Sequence, residues 1–233
     1  MNDRAARQEG SSGTANGIPH ESSPQATAVR YLTEHGYEKT TTSSLADAIG
    51  MSRSTFFRRF GSKEDVVFAD HDFALSQLQE QLDASELSAS ETLARGTLEV
   101  SRVLTRDPVT ARMRSQLLRS TPLLRERELV ITHRYERMFQ RYLARVAAPG
   151  TPDWGSIALA AAVVAVHNAA LRRWMKFDDA HAFGDLEREL TALIARFDPW
   201  FGGERGASRV VVASFDADAS PEEVLRAVAE QLR

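Results

Sequence analysis

The 233-residue sequence contains no cysteine. Disulfide bonds, zinc–thiolate sites and cysteine nucleophiles are therefore excluded. The longest apolar stretches fall short of the roughly 18 residues expected of a membrane span, and the polar start, residues 1–13, lacks the apolar core of a signal peptide. We therefore expect no membrane association and a location in the cytoplasm.

Common catalytic motifs are also missing. The sequence has no Gly-rich phosphate loop, no H-E-x-x-H and no G-x-S-x-G. Its six histidines are scattered without the spacing of metal ligands. We expect neither a metal nor a cofactor, and a helical enzyme is retained only as a remote alternative.

An excess of one charge is absent as well. The 29 Lys and Arg residues are balanced by 32 Asp and Glu residues, for a net charge of −3. The chain as a whole is thus no polycation, and any binding to DNA would depend on a local basic surface. The hydrophobic fraction of 42% is enough for a packed core.

Helix start signals are frequent. A polar residue followed by proline is typical of a helix N-terminus, because the polar side chain caps a free N–H and proline has no N–H to satisfy. Such pairs stand at Ser23-Pro24, Asp107-Pro108, Thr121-Pro122, Thr151-Pro152 and Ser220-Pro221. Between them, apolar residues recur at spacings of three and four. This pattern predicts an all-α protein of about nine helices, preceded by a disordered arm, residues 1–22, that is rich in Gly, Ser and Asn.

The most informative stretch lies between Thr40 and Val67. It predicts a short helix over Ser43–Ile49, a tight turn at Gly50, and a second short helix over Arg53–Phe60 that is capped by Ser52. The helix over Pro24–His35 provides a third wall. This is the layout of a helix-turn-helix, whose second helix must present a short polar and basic face to a groove about 12 Å wide. The alternative is a three-helix structure with a solvated charged face.

The segment TTTSSLADAIGMSRSTFFRRFGSKE, residues 40–64, resembles the DNA-binding signature of TetR-family (tetracycline-repressor-like) regulators. The resemblance covers about residues 24–70. It implies a homodimer that binds a palindromic operator in double-stranded DNA, with repression relieved by a small molecule. Carried over by position, it implies phosphate contacts from Thr42, Ser43 and Lys63, and contacts in or beside the major groove from Arg53, Ser54, Thr55, Phe57 and Arg58.

Two positions depart from the family pattern. Phe57 stands where the family often has tyrosine, so a phenol-to-phosphate hydrogen bond is not available. Ser54 stands where the family often has glycine or alanine, which adds a polar group at the groove. Both departures leave the operator sequence open.

The remaining sequence predicts a larger helical domain for ligand binding and dimerisation. The helix from about Pro152 to Phe177 is apolar nearly all round, and an amphipathic helix follows from about His181 to Phe201. In the family, the last two long helices pair across the dimer; the alternative is two core helices of a monomer. Candidate ligand-pocket residues are Met113, Leu117, Leu118, Tyr135, Phe139, Tyr142, His167, Asn168, Leu171 and Trp174.

For these candidate pocket residues, the alternative is a role in core packing. The spacing of the aromatic residues is more typical of a packed core than of a pocket, and His167 with Asn168 is more typical of a hydrogen-bonded core pair than of a ligand contact. Arg112, Arg114 and Arg119 could attract an anionic ligand, but their pattern favours a solvated face. We expect a small, mostly hydrophobic effector. An architectural DNA-binding protein without a ligand is the main competing function.

Four regions are thus predicted. They are a disordered arm (1–22), a helix-turn-helix domain (23–70), a ligand and dimerisation domain (71–202) and a tail (203–233) outside the family resemblance. In the tail, Val210-Val211-Val212 predicts a short strand, and a capped helix follows from about Pro221 to Leu232. The tail either packs on the ligand domain or is a disordered appendage.

Overall fold

The computed structural model describes residues 23–177 and 181–201. The predicted arm, residues 1–22, and the predicted strand and helix of the tail, residues 203–233, lie outside this range. The described residues form helices and no strand, which confirms the all-α prediction for that part of the chain. The chain divides into two compact units after Val67.

The first unit contains four helices and the second contains seven. They are α1 (Pro24–His35), α2 (Thr42–Ala48), α3 (Arg53–Phe60) and α4 (Lys63–Val67), followed by α5 (Ala69–Ala84), α6 (Ala89–Thr105), α7 (Pro108–Ser120), α8 (Pro122–Val146), α9 (Asp153–Phe177), α10 (Ala182–Ala195) and α11 (Asp198–Phe201). The described range therefore holds eleven helices instead of about nine, because α4 ends before Phe68 and a short α11 follows α10.

The predicted caps are present at two of the polar–proline pairs. The Ser23 hydroxyl accepts a hydrogen bond from the Ala26 N–H, and the Asp107 carboxylate accepts one from the Thr110 N–H, each at 3.1 Å. At Thr121 the helix also begins at the following proline, but the side chain makes no capping hydrogen bond. At Thr151 the hydroxyl donates to the Ala148 carbonyl instead, and the helix begins one residue after Pro152.

In the first unit, α1 packs against α2 and α4, and α3 packs against α2 and α4. Leu32, Leu45, Phe56 and Val66 are fully buried between them. Within α1 the fully buried Val29 and Leu32 are three residues apart, as helix periodicity predicts for one buried side.

In the second unit, α9 is the central helix and packs against α8, α10, α6 and α7. By length and composition alone α9 could cross a membrane, so the prediction that its apolar run is too short was wrong. Its inner side chains, including Leu159 and Val163, are fully buried against neighbouring helices. This is the packing of a core helix.

Candidate nucleic-acid interface and ligand cavity

The turn between α2 and α3 is held by backbone geometry and two caps. The Thr41 hydroxyl accepts from the Ser44 N–H at 3.1 Å, and the Ser52 hydroxyl accepts from the Thr55 N–H at 3.2 Å. Gly50 has φ +71°, a left-handed conformation that residues other than glycine rarely adopt. The Met51 N–H bonds back to the Ala46 carbonyl at 2.9 Å and closes the turn. This geometry sets the direction in which α3 leaves the turn.

Helix α3 has one buried and one exposed side. Phe56 is fully buried, whereas Arg53, Ser54, Phe57 and Arg58 are exposed. Residues 53, 54, 57 and 58 lie on one side of the helix because they are spaced by one and four. The Arg53 guanidinium lies over the Phe57 ring, 5.6 Å from its centre. The exposed side therefore combines two cations with an aromatic ring.

The other predicted contact residues flank this surface along the chain. Thr55 is half-buried on α3, and at the start of α2 Thr42 is half-buried while Ser43 is exposed. The Thr41 hydroxyl already caps α2, so the hydroxyl of Ser43 is not needed for that purpose. These positions are compatible with the predicted phosphate contacts.

Lys63 differs from the prediction. Its ammonium group donates to the Tyr37 carbonyl at 2.8 Å and the Thr40 carbonyl at 3.0 Å, and lies 3.8 Å from the centre of the Tyr37 ring. Burial lowers the pKa of Lys63, an effect opposed by the nearby Glu38. In the structure the Lys63 side chain holds the loop between α1 and α2 against the start of α4, and we propose this role in place of the predicted phosphate contact.

The second unit contains a partly open cavity of about 310 Å³ between α5, α6, α7, α8 and α9. Its apolar wall includes Val100, Leu104, Ile131, Phe139 and Val164. This volume is at the lower end of the range found for small-molecule sites. The cavity can therefore take an apolar group of modest size.

The same cavity is lined by five cations. Arg114, Arg119, Arg125, Arg172 and Lys176 contribute to it, and among the described residues that line it Glu128 is the sole carboxylate. The charge of the lining is thus opposite in sign to the net charge of the chain. An anion would be attracted to this cavity.

Arg114 is tied to the wall by an ion pair. Its guanidinium donates to Asp70 at the first turn of α5, and the Arg114 side chain is 6% exposed. Arg125 donates to the carbonyls of Leu118 and Arg119 at the end of α7, at 3.0 and 2.8 Å. These contacts hold Arg114 against α5 and Arg125 against the end of α7.

Two neutral histidines also line the cavity. Burial lowers the pKa of His71 to about 3 and that of His167 to about 4, so both imidazoles are uncharged at neutral pH. The Tyr135 hydroxyl lies 3.3 Å from His71 Nδ1 and 3.4 Å from the His71 carbonyl. Burial also raises the pKa of Tyr135, which keeps the phenol protonated.

Six of the predicted pocket residues line the cavity: Leu118, Tyr135, Phe139, His167, Asn168 and Leu171. The other four do not. Leu117 and Tyr142 are buried in packing contacts, and Met113 is half-buried outside the lining. Trp174 packs its ring against Phe183 and beneath the Arg112 guanidinium.

Sequence reasoning missed several lining residues, above all His71 and Glu128. It also favoured a solvated face for Arg114, which is buried. Arg114 lies three residues from both Ala111 and Leu117 on the buried side of α7, and this spacing could have indicated that it is buried. Nothing in the local pattern around His71 places it beside Tyr135, which is 64 residues away. Across residues 23–177 and 181–201, no group of three or more His, Asp or Glu side chains has the geometry of a metal site.

Two family models match the chain. Residues 26–69 match the model for bacterial regulatory proteins of the tetR family, and residues 87–198 match the model for the MftR C-terminal domain. A Mycobacterium tuberculosis protein that carries the name mycofactocin biosynthesis transcriptional regulator MftR is 24% identical over 151 residues. The match covers 64% of this chain and 76% of that protein.

Solved structures share the fold. The fatty acid degradation regulator FadR of Bacillus halodurans has a TM-score of 0.55 and 19% identity, covering 78% of this chain and 98% of that one. FadR of Bacillus subtilis, solved in complex with stearoyl-CoA, has a TM-score of 0.53 and 19% identity, covering 73% and 95%. At these identities the likeness establishes the shared architecture of a helix-turn-helix unit and a helical unit.

Proposed function

The chain belongs to the TetR family of bacterial regulatory proteins, and from this membership we propose that it is a repressor released from its operator by an anionic amphiphile. The observation that carries the proposal is the cavity, which joins an apolar wall to a cluster of cations. The family is one of transcriptional regulators and not of enzymes, as the sequence analysis predicted. Because such a regulator acts on bacterial DNA, we place it in the cytoplasm.

Operator recognition is assigned to the exposed side of α3. Arg53 and Arg58 are long, charged and exposed, and can reach guanine edges in the major groove. Phe57 offers an apolar contact to a thymine methyl group. Ser54 and Thr55 add hydroxyl groups, and Thr42 and Ser43 would contact phosphate.

TetR-family regulators act as dimers. We assign the dimer contact here to the outward sides of α9 and α10. On α9, Ile157 is 52% exposed, and Ala165 and Ala169 are exposed further along the helix. On α10, Ala192 and Ala195 are exposed. Small apolar side chains let two helices approach closely, and a two-fold dimer would favour a palindromic operator.

The effector was predicted to be mostly hydrophobic. The cations in the lining add the expectation that it also carries a negative charge. An alkyl chain would lie against Val100, Ile131 and Phe139, while a carboxylate or phosphate would lie near Arg119, Arg172 and Lys176. The stearoyl-CoA in the complex of Bacillus subtilis FadR is a molecule of this chemical type. An architectural DNA-binding protein would have no use for such a cavity.

The proposal is tested in two steps. The purified full-length protein first selects binding sequences from a randomised DNA library, and fluorescence anisotropy measures its affinity for the selected site. Dodecanoate and dodecanol are then added at equal concentrations. We expect dodecanoate to release the DNA at a lower concentration than dodecanol does, because only the carboxylate meets the cations.

A charge variant tests the site itself. The double substitution Arg172→Gln and Lys176→Gln should weaken the response to dodecanoate more than the response to dodecanol. Arg102→Gln, which removes a 71% exposed cation from α6 outside the cavity lining, is the matched control. A protein that binds its selected site but ignores every amphiphile would favour the architectural alternative.

A further inference from the structure

His167 is a buried imidazole on the side of α9 that lines the cavity. It is 7% exposed and lines the cavity from the middle of α9, with Val164 one turn before it and Leu171 one turn after it. Apart from His167 and Asn168, residues 163–170 of this helix are all Ala or Val. Within this stretch, His167 and Asn168 are the two polar side chains that line the cavity.

The two ring nitrogens differ in their surroundings. Nδ1 lies 3.3 Å from the amide oxygen of Asn168. Nε2 is buried and has no hydrogen-bond partner within the described residues. Since the large majority of buried polar atoms in native proteins are hydrogen-bonded, Nε2 is an atom for which a partner is expected.

The position of the proton follows from this arrangement. A neutral imidazole carries one N–H, and an amide oxygen can only accept. The proton therefore lies on Nδ1, which donates to Asn168 Oδ1, and Nε2 presents a lone pair. The partner of Nε2 must be a hydrogen-bond donor.

Neighbouring polar groups do not supply that donor. The Tyr135 hydroxyl lies against His71, and the Thr97 hydroxyl donates to the Leu93 carbonyl at 2.8 Å. Both residues line the same cavity. Their hydroxyl protons are already in use, and a hydroxyl of a molecule that occupies the cavity can supply the donor for Nε2.

We propose that the effector bears a hydroxyl group on its apolar portion, and that this hydroxyl donates a hydrogen bond to His167 Nε2. The inference rests on the proposed function, because it concerns the ligand of the same cavity. It narrows the ligand class from anionic amphiphiles to hydroxylated ones. The cations would select the head group, and His167 would select where the chain is hydroxylated.

The test is a positional scan with defined probes. Isothermal titration calorimetry on the full-length protein compares dodecanoate with its monohydroxy positional isomers and with the matching keto isomers. We expect at least one hydroxy isomer to bind about tenfold more tightly than dodecanoate, which corresponds to about 1.4 kcal/mol. The keto isomer of the same position, which cannot donate, should show no gain.

Variants assign the preference to His167. His167→Phe should bind dodecanoate and lose the preference for the hydroxy isomer. His133→Phe, which replaces an exposed histidine of α8 outside the cavity lining, should retain it. His167→Leu replaces the Phe variant if the larger ring prevents cooperative unfolding, and the wild-type scan decides the inference if neither variant folds.

The unfavourable outcomes are distinct. If dodecanoate binds and no hydroxy isomer binds more tightly, the hydroxyl inference is wrong and the proposed function stands. If a keto isomer is preferred, Nε2 is a donor and the inference is also wrong. If no carboxylate binds at any position of the scan, the proposed function and the inference fail together.

Discussion

Arg114 of α7 donates a hydrogen bond to Asp70 of α5, and the two side chains are only 6% and 17% exposed. The pair joins two helices whose residues are 44 positions apart in sequence. Arg114 lines the cavity. Asp70 lies in the first turn of α5, the helix that follows the DNA-binding unit along the chain. The cavity wall is therefore bonded directly to the start of α5.

This ion pair should be costly to break from one side. Arg114→Ala removes the guanidinium and leaves the Asp70 carboxylate in a mostly buried position, so we expect the free energy of unfolding to fall by about 3–5 kcal/mol. The double variant Arg114→Met with Asp70→Asn should be more stable than Arg114→Ala. Urea denaturation measures both, and equal stabilities would contradict the buried pairing.

Arg53 and Arg58 should contribute to operator affinity without affecting the fold. Alanine at either position should weaken binding to the selected site by about 1–3 kcal/mol, as the loss of a bidentate base contact does. Anisotropy titrations measure the effect, and Arg102→Ala controls for the loss of a positive charge elsewhere. Unchanged affinity in both arginine variants would remove this side of α3 from the interface.

Lys63 should matter for stability more than for DNA binding. Lys63→Met keeps the apolar stem and removes the donors to the Tyr37 and Thr40 carbonyls. We expect a stability loss of about 1 kcal/mol. The slope of DNA affinity against salt concentration should stay the same, since no phosphate contact is lost. A flatter slope with unchanged thermal stability would restore the role first predicted for this residue.

The buried histidines should make the protein sensitive to mild acid. Their folded pKa values of about 3 and about 4 lie below the ordinary value of 6.5, so the unfolded chain binds protons first as the pH falls. Stability should be at its full value above pH 6.5 and decline between pH 6.5 and 4, by about 1–2 kcal/mol per histidine at pH 5.

Substitution separates the two contributions. His167→Phe should reduce the loss between pH 8 and pH 5, measured by urea denaturation at each pH. Its stability at pH 8 reports any packing effect of the new ring separately. A wild type whose free energy of unfolding is constant from pH 8 to pH 5 would rule out neutral buried histidines.

The dimer assignment predicts the effect of a charge on α9. Ala165 is exposed in the described subunit, so Ala165→Arg should leave the subunit folded and split the dimer by burying a charge at the contact. Val109→Arg, on an exposed position of α7, should leave the dimer intact. Sedimentation velocity at micromolar concentration measures both, and a monomeric wild type would contradict the assignment.

Local chemistry in the sequence determined much of the DNA-binding unit. The capping serines and the glycines after α1 and α3 placed the bounds of those helices, Pro24–His35 and Arg53–Phe60, as observed. These features act between residues at most four positions apart, so they can be recognised from the sequence alone. The exposed and buried sides of α3 follow from the same short-range periodicity.

Only the tertiary structure decided which residues surround the cavity. A stripe of apolar residues shows which side of a helix is buried, but not whether it meets a neighbouring helix or an open space. Tyr135 and Tyr142 lie on one side of α8, yet only Tyr135 lines the cavity. Lys63 turned inward because two carbonyls and a tyrosine ring, 23 to 26 residues earlier, lie within its reach. Such contacts depend on how helices pack together, and helix periodicity carries no information about that.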